Sequence, residues 1–142
     1  MAAKDYFHDT VKIALVKEEW DITHDPLYLD FDSARIQIDL AGEKLIAAER
    51  GLEKIAVEVK SFLAPSTIYE FHLAIGQCFS YRVALRKQEP ERTLYLAIPL
   101  FTYQEFFCRP FAQTTLEEAQ LEILVFDPNQ QVIVQWKEQR KN

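Results

Sequence analysis

Apolar side chains recur along this chain at two spacings, and the switches between them divide it into helices and strands. Between Asp5 and Glu19, Phe7, Val11, Ala14 and Leu15 return every three or four positions, the period of a helix with one buried face. His8 and Lys12 then share an adjoining stripe one turn apart. Trp20 begins a short extended segment that the Asp25-Pro26 step interrupts, because a residue before proline avoids the helical region. Residues 27–32 continue it. Three β-prone stretches follow at 34–40, 44–50 and 54–62, with Gly51 turning between the last two, and together they read as an antiparallel meander. The stretch 44–50 also has the composition of a short helix. Gly51 closes a short link into Ile55-Ala56-Val57-Glu58-Val59-Lys60, and this favours the strand.

Pro65-Ser66 opens a long helix with Ser66 as its N-cap. It runs to about residue 87 and is expected to bury Phe71, Ala74, Ile75, Cys78, Phe79, Val83 and Leu85. Residues 93–100 read as an apolar strand covered on both faces. A further helix starts at Tyr103 and is limited by Pro110, and two short strands at 121–126 and 131–136 close the chain. The expected order is α-β-β-β-α-β-α-β-β, an α/β arrangement in which helices flank a mixed β-sheet.

Only 3 Gly and 6 Pro punctuate the sequence and no segment repeats, so residues 1–142 are expected to form a single domain. Hydrophobic residues make up 49%, enough to build a core. The 16 Lys and Arg against 22 Asp and Glu leave a formal charge of −6, which excludes nucleic-acid binding by bulk electrostatics alone. A local basic cluster would have to come from Arg82, Arg86, Lys87 and Arg92. No apolar run approaches the roughly 18–20 residues of a membrane span and no signal segment opens the chain, so a cytoplasmic protein without a membrane partner is expected. Cys78 and Cys108 fit neither a CxxC pair nor a zinc cluster, and reduced, half-buried thiols are expected.

The chemistry centres on Asp39 and on Glu58-Val59-Lys60. Successive strand side chains alternate faces, so Glu58 and Lys60 emerge together about 6–7 Å apart while Val57 and Val59 enter the core. A metal-dependent phosphodiesterase would use such a set. Mg²⁺ prefers hard oxygens, keeps several waters and is held by one or two carboxylates plus substrate phosphate. Asp39 and Glu58 would supply the carboxylates and Val59 a backbone carbonyl, with Mn²⁺ as a substitute metal. Lys60 would hold or activate the attacking water and offset charge in the transition state. An isolated Glu-x-Lys pair is as often a solvated strand edge. Asp39, and Gln77 with Tyr81 one helical turn apart, narrow that reading. Glu43 and Glu49 would serve a second metal position, although surface placement is favoured in so acidic a chain. Phe101, Tyr103, Phe106, Phe107 and Phe111 read mainly as core, with any exposed excess marking a subunit interface and hence a homodimer.

These residues resemble the active-site core of the PD-(D/E)XK nuclease-like superfamily, in which an acid on one strand precedes a Glu-x-Lys on the next. The resemblance implies a restriction-endonuclease-like PD-(D/E)XK core with Asp39, Glu58 and Lys60 as catalytic residues. Ile38 stands where that superfamily often has proline. Many members carry an acid on the first helix, and the matching register puts His8 near the metal, an exchange of acid for histidine. Gln77 and Tyr81 match a Gln and Tyr that face the catalytic strand in several nuclease-like families. More closely, Asp5-x-Phe7-His8-Asp9-x-Val11-Lys12, Ile22-Thr23-His24-Asp25-Pro26, Val57-Glu58-Val59-Lys60-Ser61-Phe62 and Ala74-Ile75-Gly76-Gln77-x-x-x-Tyr81 resemble the XisH family, the cyanobacterial fdxN element excision controlling factors. That resemblance covers nearly the whole chain. It implies an accessory role in programmed, site-specific excision of a DNA element, beside a site-specific recombinase and a small companion factor, XisI. Two functions are then expected to compete: a Mg²⁺-dependent DNA endonuclease, and a non-catalytic module that regulates the recombinase through protein contacts. An ordinary α/β domain with another ligand is the third reading.

Overall fold

The computed structural model describes residues 4–47 and 51–139. Helix α1 (His8–Lys17) is followed by strands β1 (Asp21–His24), β2 (Leu27–Phe31), β3 (Ala34–Ile38), β4 (Leu40–Ala47) and β5 (Gly51–Val59). The long helix α2 (Thr67–Gln88) leads into β6 (Arg92–Pro99). A short α3 (Leu100–Thr102) runs into a π-helical turn (Tyr103–Phe107), and α4 (Pro110–Ala119), β7 (Glu122–Asp127) and β8 (Val132–Lys137) complete the chain. Six strands form one mixed sheet in the order β1-β4-β5-β6-β7-β8, with β2 and β3 paired apart from it. The β5–β6 and β6–β7 pairs are parallel, and the other pairs are antiparallel.

Parallel neighbours need crossovers, and here α2 makes one and α3–α4 the other. Both crossovers cover the same face. Ala56, Leu94, Leu96, Ile98, Ile123 and Val125 pack there against Phe71, Ala74 and Cys78 of α2 and Leu116 of α4. The alternate positions Ile55, Val57, Val59, Tyr95, Ala97 and Leu124 pack on the other face with Val11 and Leu15 of α1. Strand periodicity therefore sorts the sheet into two apolar layers, one under each set of helices.

The observed order has two more strands than the sequence pattern predicts, and the short α3, the π-helical turn and α4 stand where it predicts a single helix. The three-strand meander is replaced by two pairings. β3 folds back onto β2, with Leu27 opposite Ile38 and Phe31 opposite Ala34, while β4 pairs with β1 and β5. The turn between β2 and β3 uses Asp32 at φ 55°, a left-handed conformation that aspartate tolerates. The 44–50 stretch is strand as far as Ala47, and residues 48–50, including Glu49, lie outside the described residues. Gly51 takes φ +75° at the first residue of β5, a backbone open mainly to glycine.

Pro110 starts α4 where the sequence pattern had it end a helix. It occupies the first helical turn, where its missing N–H goes unneeded and its fixed φ suits the helix. Ser66 caps α2 as expected, accepting the Tyr69 N–H at 3.3 Å. Phe79, expected in the core, is 55% exposed, with the Arg82 guanidinium lying over its ring. Of the aromatic set, Phe107 is core and Phe101 and Phe111 are exposed. Both cysteines are free; Cys78 is buried and Cys108 exposed, so neither is the half-buried thiol expected. Among the described residues no helix is long and apolar enough to cross a membrane.

Candidate functional site

The β4–β5 ladder pairs Leu40 with Val57, and one step further along it Asp39 meets Glu58. Asp39 is not in a strand. It sits at the bend between β3 and β4, where the chain leaves the hairpin and enters the sheet. Two bonds lock this meeting: the Val59 N–H donates to Asp39 Oδ2 at 2.8 Å, and the Asp39 N–H donates to Glu58 Oε1 at 3.3 Å. Alternation along β5 sends Val57 and Val59 to the α1 layer and Glu58 to the α2 side. Past the end of the strand the Lys60 N–H is still held by the Ala97 carbonyl of β6 at 3.1 Å, and its Nζ lies 3.8 Å from Glu58 Oε2.

The three side chains open into one cleft of about 800 Å³. Val59, Gln77 and Tyr81 also line it, so α2 forms one wall as the sequence spacing predicts. The hairpin supplies a second wall through Arg35 and Gln37. Asp5 also lines it; strand alternation and spacing do not mark it as a site residue, although aspartate just ahead of a helix is a capping signal. Its Oδ1 accepts the Phe7 N–H at 2.9 Å and its Oδ2 accepts the Ser61 N–H at 3.0 Å, tying the start of α1 to the segment after Lys60.

His8 does not line this cleft. Its ring is buried, with Nε2 2.6 Å from Asp25 Oδ1, and the Lys12 ammonium takes the other Asp25 oxygen at 2.8 Å. The acid that faces the cleft from the beginning of the chain is Asp5. Glu43 sits 3.7 Å from the guanidinium of Arg92. Arg92 is itself buried, donating to the Ile55 carbonyl at 3.0 Å and to Glu89 at 2.8 Å, and so drops out of the basic cluster.

Two carboxylates in one buried site cannot both ionise freely. Burial, and then the charge of Asp39, push Glu58 up to about 8, against the pull of Lys60. Burial raises Asp39 as well, opposed first by the Val59 N–H. The pair therefore holds a proton at neutral pH. Burial and Glu58 also push Tyr81 up to about 12, leaving its phenol a hydrogen-bond donor.

Hard oxygens in an electron-rich cleft suit a magnesium ion, and a cation would relieve the repulsion that the proton now relieves. The buried Gln77 Oε1 has no hydrogen-bond partner among the described residues and is a further acceptor at the cleft. The donor chemistry thus fits Mg²⁺ through Asp39, Glu58 and the Val59 carbonyl. Among the described residues no three His, Cys, Asp or Glu side chains cluster as a ready metal cage, so water and substrate oxygens would complete the shell.

Fold and cleft define a mixed-sheet α/β protein in which two acids and a lysine gather under a crossover helix. The chain belongs to the XisH family, whose model, described as XisH protein, matches residues 1–134. It is similar to an XisH family protein from Nostoc punctiforme whose crystal structure superposes with a TM-score of 0.86 at 48% identity, covering 94% of this chain and 100% of that one. It is also similar to a fdxN element excision controlling factor protein from Anabaena variabilis, with a TM-score of 0.85, 48% identity and coverage of 93% and 98%. No curated protein matches the chain.

Proposed function

We propose that this protein is an accessory, controlling factor in the programmed site-specific excision of a DNA element, and that it works on DNA through a Mg²⁺-dependent PD-(D/E)XK nuclease-like cleft. The family membership and the name of the Anabaena variabilis protein support the excision role. The observation that carries the nuclease reading is the convergence of Asp39, Glu58 and Lys60 in one cleft, with the acids sharing a buried site.

Asp39, Glu58 and the Val59 carbonyl would hold Mg²⁺, which supplies a Lewis acid and a water of lowered pKa. To hold the cation, Glu58 would release its proton to solvent. Lys60 orients the attacking water and faces the phosphate as negative charge builds there. Gln77 accepts a hydrogen bond from that water, and the Tyr81 hydroxyl donates to a phosphate oxygen. Arg35 stands on the hairpin wall, where it meets the DNA backbone. Partners in this reading are DNA, a site-specific recombinase and an XisI-type companion factor.

A second reading, a non-catalytic module that regulates the recombinase with that companion, is favoured by the −6 charge and by the engagement of His8 with Asp25. Incubation with supercoiled and branched DNA in Mg²⁺ or Mn²⁺ separates the two. Cleavage that Glu58→Gln abolishes and Lys60→Ala slows by about 10²–10³-fold is expected. No product, or variants that cut like the parent, leaves the regulatory module.

A further inference from the structure

The sheet face opposite the cleft carries a second depression, of about 440 Å³, that the chemistry above does not use. Trp20, Tyr95 and Trp136 wall it, and these include both tryptophans of the chain. Trp136 meets Tyr95 edge-on, with centroids 4.9 Å apart at 82°, and tilts against Trp20 at 5.8 Å and 40°. Three carboxylates surround the rings. Glu18 accepts the Trp136 Nε1–H at 3.0 Å, Glu138 accepts the Tyr95 hydroxyl at 3.0 Å, and Glu53 lines the same wall.

Against these acids the described lining residues include one cation, Lys44, opposite Glu53 on the neighbouring strand. Its Nζ lies 5.7 Å from the Trp20 ring centroid, so the chain already shows what these rings attract. Trp20 is 6% exposed, and its buried indole N–H has no acceptor among the described residues. A donor of that kind needs a carbonyl. A peptide offers one beside its cationic side chain, whereas a simple polyamine does not.

We propose that this depression receives an arginine or lysine side chain of a partner polypeptide. The cationic head lies against the indole rings among Glu18, Glu53 and Glu138, and a backbone carbonyl of the same segment takes the Trp20 N–H. Lys44 occupies the place in the isolated chain and yields it on binding. The site lies across the sheet from Asp39 and Glu58, and it stands or falls apart from the nuclease reading.

Because both tryptophans belong to the site, intrinsic fluorescence reports on it directly. A blocked tri-arginine peptide, titrated at ionic strength held constant with NaCl, is expected to give a saturable change. Glu53→Gln weakens its binding by about 2–5-fold, and Lys44→Met, which vacates the ring face, strengthens it by a similar factor. Spermidine, of equal charge, binds less tightly. A response no larger than that to NaCl, unchanged affinity in a folded Lys44→Met protein, or spermidine binding as well as the peptide would overturn the proposal.

Discussion

Glu58 shows how much one position can carry. Alternation along β5 places its side chain on the α2 side of the sheet, where burial and Asp39 oppose its ionisation. Its folded pKa of about 8 lies above the ordinary 4.5, so the folded protein binds the proton more tightly than the unfolded chain. That contribution is fully present below pH 4.5 and is lost as pH rises toward 8. In metal-free buffer the melting temperature should therefore fall between about pH 5 and pH 8. Glu58→Gln keeps the shape without the charge and should flatten the fall. A wild-type profile that rises over the same window would refute the shared-proton description of the pair. At this scale the sequence is most informative, since strict alternation separates Glu58 and Lys60 from Val57 and Val59. Asp5 escapes it because its oxygens are spent on the Phe7 and Ser61 N–H groups, contacts that depend on a partner 56 positions away. His8 is drawn toward Asp25 for the same kind of reason.

Among elements, legibility tracks how local the deciding interaction is. The Ser66 cap and the period of α2 are local, and both are visible in the sequence. The partner of β3 is not. Residues 34–38 have the same β-prone character whether they pair with β2 or with β4, and the Asp39 bend decides in favour of the hairpin. Proline is ambiguous in a similar way, because the ring that ends one helix starts another, and Pro110 does the latter. Phe79 fits the helical period yet is left at the surface, because the sheet under α2 covers only the side bearing Phe71, Ala74 and Cys78. The buried Arg92 joins three strands: it lies at the start of β6, bonds the Ile55 carbonyl of β5, and pairs with Glu43 of β4 and with Glu89. Arg92→Ala strands those partners and should cost about 3–5 kcal/mol in urea unfolding. A loss below about 1 kcal/mol would show that the packing around it does not depend on the ion pairs.

In the whole molecule the sheet separates two chemistries. The α2 side gathers acids, a lysine and an orphaned amide oxygen into an open cleft, and the α1 side gathers aromatic rings and carboxylates. Under the proposed function, an acidic protein of this kind would approach DNA through a bound cation and a few placed bases rather than through its net charge. In that reading, a factor that meets both DNA and protein would have use for two separate faces.

The most direct test of the cleft is the binding of Mn²⁺, followed by loss of the free-ion signal in electron paramagnetic resonance at pH 8 with a short DNA duplex present. One ion per chain is expected, with binding that weakens sharply toward pH 6 as Glu58 regains its proton, and with loss of the ion in Asp39→Asn and Glu58→Gln but not in Lys60→Ala. Equal Mn²⁺ uptake by the parent and the two carboxylate variants would contradict it.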